Sequence, residues 1–115
     1  IVNISSIAGL VGIANTSAYT ATKHGVVGLT KTAALEYGGE GIRINAVCPG
    51  YTRTALVDKA VALKPDLAQW AVERHPIGRM AEPQEIAEAS VWLFSDAASF
   101  VTGHALPVDG GYTAQ

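Results

Sequence analysis

Short β-branched runs alternate with longer stretches of helical period along this chain, and that alternation predicts its elements. Ile1-Val2-Asn3-Ile4-Ser5 is apolar, β-branched and bounded by small residues, as a buried strand should be. Ser6 to Thr16 is punctuated by Gly9 and Gly12 and reads as a tight loop. Asn15, Thr16 or Ser17 can cap a helix that continues to about Tyr37. Val26, Thr30, Ala33, Ala34 and Tyr37 give it an apolar stripe of helical period. Gly25 and Gly28 lower its propensity and point to close approach by another backbone or helix. Gly38-Gly39-Glu40-Gly41 stops the helix, and Ile42-Arg43-Ile44-Asn45-Ala46-Val47 is the second strand.

The pattern is less regular from Ala55 to Arg79. Leu56, Val57, Ala60, Val61 and Leu63 suit a short amphipathic helix, and Pro65-Asp66 can start another that reaches Trp70 and Arg74. A helical insertion after a loop of this kind is expected to act as a lid. Glu82-Pro83-Gln84-Glu85 opens the next helix, with Pro first and acids in the first turn. Its inner face is read as Ile86, Ala89, Ser90, Leu93 and Phe94, and it ends at Ser95-Asp96. Ala105-Leu106-Pro107-Val108 is a third strand, in which Pro107 should either mark a sheet edge or stand where no ladder bond needs its missing donor, and Asp109-Gly110-Gly111 closes it.

Strand, helix, strand with short joints is a βαβ unit, so the first two strands should be parallel with a right-handed crossover. Ligands of open α/β sheets sit outside the carboxyl ends of the strands. Ser6 follows the first strand, Cys48-Pro49-Gly50-Tyr51-Thr52-Arg53-Thr54 follows the second, and Tyr19 and Lys23 lie in the first turns between them. All should face one crevice. The i,i+4 spacing of Tyr19 and Lys23 puts both on one helix face. A fixed ammonium favours phenolate over phenol, as a tyrosine general acid/base requires. Ser6 is placed to hydrogen-bond the oxygen whose proton moves.

Composition narrows the class without naming a chemistry. The chain has 115 residues, 49% of them hydrophobic and 16% charged, which is globular composition for one small domain. A net charge of -2 leaves no basic footprint for nucleic acid. No apolar run spans a bilayer, so no membrane partner is expected. The single cysteine, Cys48, favours a reducing, cytoplasmic compartment. The chain opens inside a strand pattern without an initiator Met and is read as truncated.

Five motifs in order resemble the C-terminal half of the short-chain dehydrogenase/reductase family. They are Asn3-Ile4-Ser5-Ser6; Tyr19-x-x-x-Lys23; Arg43-Ile44-Asn45-Ala46-Val47-Cys48-Pro49-Gly50 with Thr54; Pro76-Ile77-Gly78-Arg79; and Phe100-Val101-Thr102-Gly103 through Val108-Asp109-Gly110-Gly111. The resemblance implies the C-terminal part of a Rossmann-type doubly wound parallel sheet, with three strands and flanking helices. Residues 1–115 would then be half of one NAD(P)-binding domain whose cofactor-gripping half is missing. It implies an NAD(P)-dependent oxidoreductase interconverting a secondary alcohol and a ketone. Tyr19 would be the acid/base, Lys23 would bind the nicotinamide ribose, and Ser6 would hold the substrate oxygen. Pro49, Gly50, Thr52 and Thr54 would flank the nicotinamide and its phosphates, Thr52 through backbone and Thr54 through its hydroxyl. The cofactor would be NAD or NADP, with no metal, and the full-length protein a homodimer or homotetramer. The alternative is a non-catalytic dinucleotide-binding or oligomer-scaffold protein on the same fold.

Absent from the sequence are the family's Gly-rich fingerprint, the residue that separates NAD from NADP, and the family's catalytic asparagine. The fragment is therefore expected to be inactive alone. Asn45 is read as a tether within a strand, Ser5 as structural, and Cys48 as a small buried packing residue. His24, His75 and His104 lack metal-ligand spacing and are read as ordinary surface or lid residues, with only His75 near substrate. Trp70 and Trp92 are read as packing residues, with contact to substrate the alternative for Trp70 in the lid. No Gly-x-Ser-x-Gly elbow marks a serine hydrolase.

Overall fold

The computed structural model describes residues 1–114. Three parallel strands, β1 (Val2–Ile4), β2 (Asn45–Pro49) and β3 (Ala105–Val108), pair in the order β1-β2-β3. Asn3 lies opposite Ala46, and Val47 opposite Leu106. Helix α1 (Ser17–Tyr37) joins β1 to β2; α2 (Ala55–Leu63), α3 (Asp66–Glu73) and α4 (Pro83–Phe94) lie between β2 and β3. Among the described residues, β3 pairs only with β2, so Pro107 does stand in an edge strand.

The alternation of β2 sorts the helices onto two faces. Asn3, level with Ala46, donates to the Thr30 hydroxyl of α1 at 2.9 Å. Val47 points the other way, into a cluster with Leu93 of α4 and Ala98, against which Val2, Ile86, Leu106 and Val108 pack. A parallel sheet covered on both faces follows. Asn45 is fully buried and is the tether expected of it: its amide donates to the Val101 carbonyl at 2.8 Å and its oxygen accepts from the His104 N–H at 3.0 Å.

Several local readings shift. The second strand starts at Asn45 rather than Ile42, because the residues before it are held by other partners: the Ile44 N–H donates to Thr102 Oγ1 at 3.1 Å. The Arg43 guanidinium donates to the Leu93 and Ser95 carbonyls at 2.8 and 3.1 Å, capping the end of α4. The buried stripe of α1 is Val27, Thr30 and Ala34, and Tyr37 is exposed. Gly25 and Gly28 meet nothing within 4 Å where a side chain would begin, so no close approach explains them. Phe94 and Trp92 are largely exposed rather than inward, while Leu93 alone of that turn is buried. Among the described residues no helix is long and apolar enough to cross a membrane.

Candidate active site

At the carboxyl end of β1 two adjacent serines separate. Ser5 is buried, and its hydroxyl donates to the Lys23 backbone carbonyl at 2.9 Å. Ser6 is half-buried, in extended backbone, and its Oγ accepts from the Ala8 N–H at 3.2 Å, capping the short turn Ile7–Gly9. That turn packs on α1 through Gly9. A Cβ there would lie 2.5 Å from Ser5 Oγ and 2.8 Å from the Lys23 carbonyl oxygen, so only glycine fits without a shift.

Helix α1 brings Tyr19 and Lys23 to the same edge. Lys23 Nζ lies 5.6 Å from the Tyr19 ring centroid and donates to the Ile4 carbonyl at 3.2 Å, so the ammonium bridges the tyrosine and the strand end. The Tyr19 side chain remains half-exposed. At the end of β2, Gly50 donates its N–H to the Val108 carbonyl at 3.0 Å. A Cβ at Gly50 would stand 2.5 Å from His75 Nε2 and 2.9 Å from Asp109 Cα, so the backbone is packed without room for a side chain. Thr52 Oγ1 donates to the Gly50 carbonyl at 3.1 Å, and Thr54 Oγ1 accepts from the Val57 N–H at 3.3 Å as the N-cap of α2.

The seven residues expected to act in catalysis or cofactor binding all line one cleft of about 510 Å³: Ser6, Tyr19, Lys23, Pro49, Gly50, Thr52 and Thr54. Apolar side chains such as Ile13, Val57 and Ile86 complete its walls, and Lys23 is the only charged lining residue among the described ones. Such a cleft, apolar with a few convergent polar groups, suits a small organic ligand. Cys48 next to it is fully buried, and burial pushes its thiol up, so it stays a packing thiol rather than a nucleophile. No three His, Cys, Asp or Glu side chains among the described residues group to hold a metal ion.

Two residues escaped the sequence reading. Tyr51 lines the cleft and a second cavity of about 740 Å³ under α2 and α3, its ring edge-on to Trp70 at 5.5 Å. Burial first, then the neighbouring Tyr112, pushes its phenol up. His75, read as a surface or lid residue, is not on the surface: it is buried just after α3, with Nδ1 2.6 Å from the Ala71 carbonyl and Nε2 3.2 Å from the Tyr51 N–H. An isolated histidine carries no sequence signal for such bonds, because both partners are backbone atoms.

The sequence profile described as enoyl-(acyl carrier protein) reductase matches residues 1–113. The chain belongs to the short-chain dehydrogenase/reductase family. It is 56% identical over 114 residues to the cis-4-hydroxycyclohexanecarboxylate dehydrogenase of Sinomonas cyclohexanicum, an alignment covering 99% of this chain and 45% of that protein. Among solved structures, a 4-hydroxyisoleucine dehydrogenase complexed with NADH superposes with a TM-score of 0.93 at 38% identity, over 100% of this chain and 47% of that one. ElxO with NADP bound gives a TM-score of 0.92 at 40% identity, over 100% and 46% respectively. The chain thus spans slightly under half the length of these short-chain dehydrogenase/reductase relatives, and its parallel sheet with helices on both faces is the family's Rossmann-type fold.

Proposed function

We propose that this chain is the C-terminal half of a single dinucleotide-binding domain in an NAD(P)-dependent oxidoreductase that interconverts a secondary alcohol and a ketone. The observation that carries the reading is the convergence of Ser6, Tyr19 and Lys23 with Pro49 and Gly50 around one cleft. A relative named as the dehydrogenase of a cyclic hydroxy acid supports the reaction class, and solved relatives holding NADP or NADH support NAD or NADP as the cofactor.

The residues present fit a nicotinamide dinucleotide. Gly50 lies in the cleft wall with its backbone packed on His75 and Asp109, and Lys23 offers the cleft's positive charge. Pro49, Gly50 and Thr52 would flank the nicotinamide, Thr54 the phosphates, and Lys23 the ribose hydroxyls. The bound dinucleotide supplies hydride chemistry. This chain's own part is to position and to move a proton. Ser6 Oγ holds the substrate oxygen, and the Tyr19 hydroxyl takes the alcohol proton or returns it to the carbonyl. Lys23, standing beside the Tyr19 ring, provides the positive charge that such a transfer needs.

We also place the full-length protein in the cytoplasm as a homodimer or homotetramer. The buried free Cys48 suits a reducing compartment. Leu35, Val91, Phe94 and Phe100, all strongly exposed, supply apolar surface for association.

The test uses the full-length protein with a panel of secondary alcohols and either dinucleotide, following the absorbance of reduced nicotinamide. Tyr19→Phe should lose turnover by about three orders of magnitude or more while dinucleotide affinity stays near wild type. Undiminished turnover in that variant would refute the assignment.

A further inference from the structure

The loop that follows β2 is fastened at one residue from two sides. Tyr51 donates its N–H to His75 Nε2 at 3.2 Å, and its carbonyl accepts from the Ala81 N–H at 2.9 Å. On its other ring nitrogen, His75 sits 2.6 Å from the carbonyl of Ala71, within α3. A carbonyl only accepts, so Nδ1 carries the proton; a backbone N–H only donates, so Nε2 does not. The heavy atoms alone thus define a neutral imidazole in its Nδ1–H tautomer. An imidazolium would break the bond from the Tyr51 N–H, and the other tautomer would break both.

Around this ring three segments meet. Gly50 approaches Nε2 so closely that a Cβ would sit 2.5 Å from it, and a Cβ on Gly110 would sit 3.4 Å from Cδ2. The rings of Tyr51 and Tyr112 flank the imidazole at centroid distances of 5.9 and 5.4 Å. Just beyond, the Ile77 N–H donates to the Gly110 carbonyl at 3.2 Å and fixes the turn after β3. His75 lines neither the cleft nor the cavity beneath α2 and α3. It acts on the cleft only through Gly50 and Tyr51, which do line it.

We propose that His75 is a positioning residue: as the Nδ1–H tautomer it ties the end of α3 to the Gly50–Tyr51 backbone and so sets the wall of the cleft assigned to the dinucleotide. The inference rests on the proposed function for what the wall faces, and on the hydrogen bonds alone for the tether. Its bonds also link the C-terminal part of the lid to the cofactor side, so the two cannot shift independently without breaking the imidazole's contacts.

Two amide variants of the full-length protein separate the bonds. In His75→Gln the longer side chain can offer an oxygen where Nε2 stands, keeping an acceptor for the Tyr51 N–H. In His75→Asn the shorter amide can keep the donation to Ala71 and leaves the Tyr51 N–H without its partner. Each loses one bond, so their thermal midpoints should fall similarly. Hydrogen exchange at the Tyr51 amide should be about tenfold faster in His75→Asn than in His75→Gln, the magnitude of one hydrogen bond. NAD or NADP dissociation constants, measured by binding without substrate, should follow the same order and differ by several-fold. Equal Tyr51 exchange in the two variants would overturn the tether. Unequal exchange with equal dinucleotide affinity would overturn the positioning role. A wild-type protein that binds neither dinucleotide would instead remove the proposed function, while the exchange comparison would still report the tether.

Discussion

Ser5 and Lys23 hold each other's segments in place: the Ser5 hydroxyl donates to the Lys23 carbonyl at 2.9 Å, and the Lys23 ammonium returns to the carbonyl of Ile4 at 3.2 Å. The strand end and the second turn of α1 are therefore joined by two bonds running in opposite senses. One backbone step later the Ser6 hydroxyl has no such bond to α1 and lines the cleft, where the proposed function gives it the substrate oxygen.

Ser5→Ala is accordingly expected to lower stability by about 1–2 kcal/mol, since the Lys23 carbonyl loses a buried partner. On the proposed function, turnover per folded molecule of the full-length protein should remain close to wild type. Ser6→Ala should instead cut kcat about a hundredfold, with a stability loss, from the lost Ala8 cap, no larger than that of Ser5→Ala. Equal catalytic losses in the two variants would contradict the division.

The five-motif order made the site legible in the sequence, because motif spacing and strand-end topology both speak about the carboxyl edge of the sheet. Tyr19, Lys23, Pro49 and Gly50 reached the same cleft as those arguments required. Helical period was a poorer guide to burial. It marks which residues share a face, not which face finds a partner, so Tyr37 and Phe94 belong to the apolar stripes of their helices although both are exposed. Backbone-directed side chains were the least legible. Asn45 could be recognised as a tether because a buried amide in a strand must satisfy both its ends. Arg43 and His75 gave no such sign, since their partners are carbonyls and N–H groups that every residue has.

Arg43 leads to a second prediction. Its NH1 reaches the carbonyls of Leu93 and Val101 at 2.8 and 3.3 Å, and its NH2 those of Ser95 and Phe94 at 3.1 and 3.4 Å. The Leu93, Phe94 and Ser95 carbonyls are the acceptors a helix leaves without partners at its C-terminus, where positive charge is also favoured. Arg43→Met should therefore lower stability by about 2 kcal/mol or more, read from a chemical-unfolding midpoint. Arg43→Lys should recover only part of it, because a single ammonium cannot span carbonyls from two segments as the planar fork does. A methionine variant as stable as wild type would show the cap to be unnecessary.

The clearest pH dependence belongs to Glu85 in the first turn of α4. Two Arg79 nitrogens donate to its carboxylate at 2.7 and 2.6 Å, and the Glu82 N–H donates to it at 2.8 Å. Those bonds, the Arg79 pair first and the Glu82 amide second, hold its pKa down to about 2. In the unfolded chain a glutamate titrates near 4.3. A pKa depressed by folding means stabilisation that is fully present above the unfolded value and is lost as pH falls through the folded one. Between wild type and Glu85→Gln, the stability gap should thus be constant from neutral pH to about 5 and shrink between about 4.3 and 2. The pair stands open to solvent, with side-chain exposures of 47% for Arg79 and 40% for Glu85, so added salt should narrow the gap at neutral pH as well. Denaturant unfolding across that pH range checks both statements. A gap that stays the same down to pH about 2 would mean that the carboxylate's charge contributes nothing and only its shape is used.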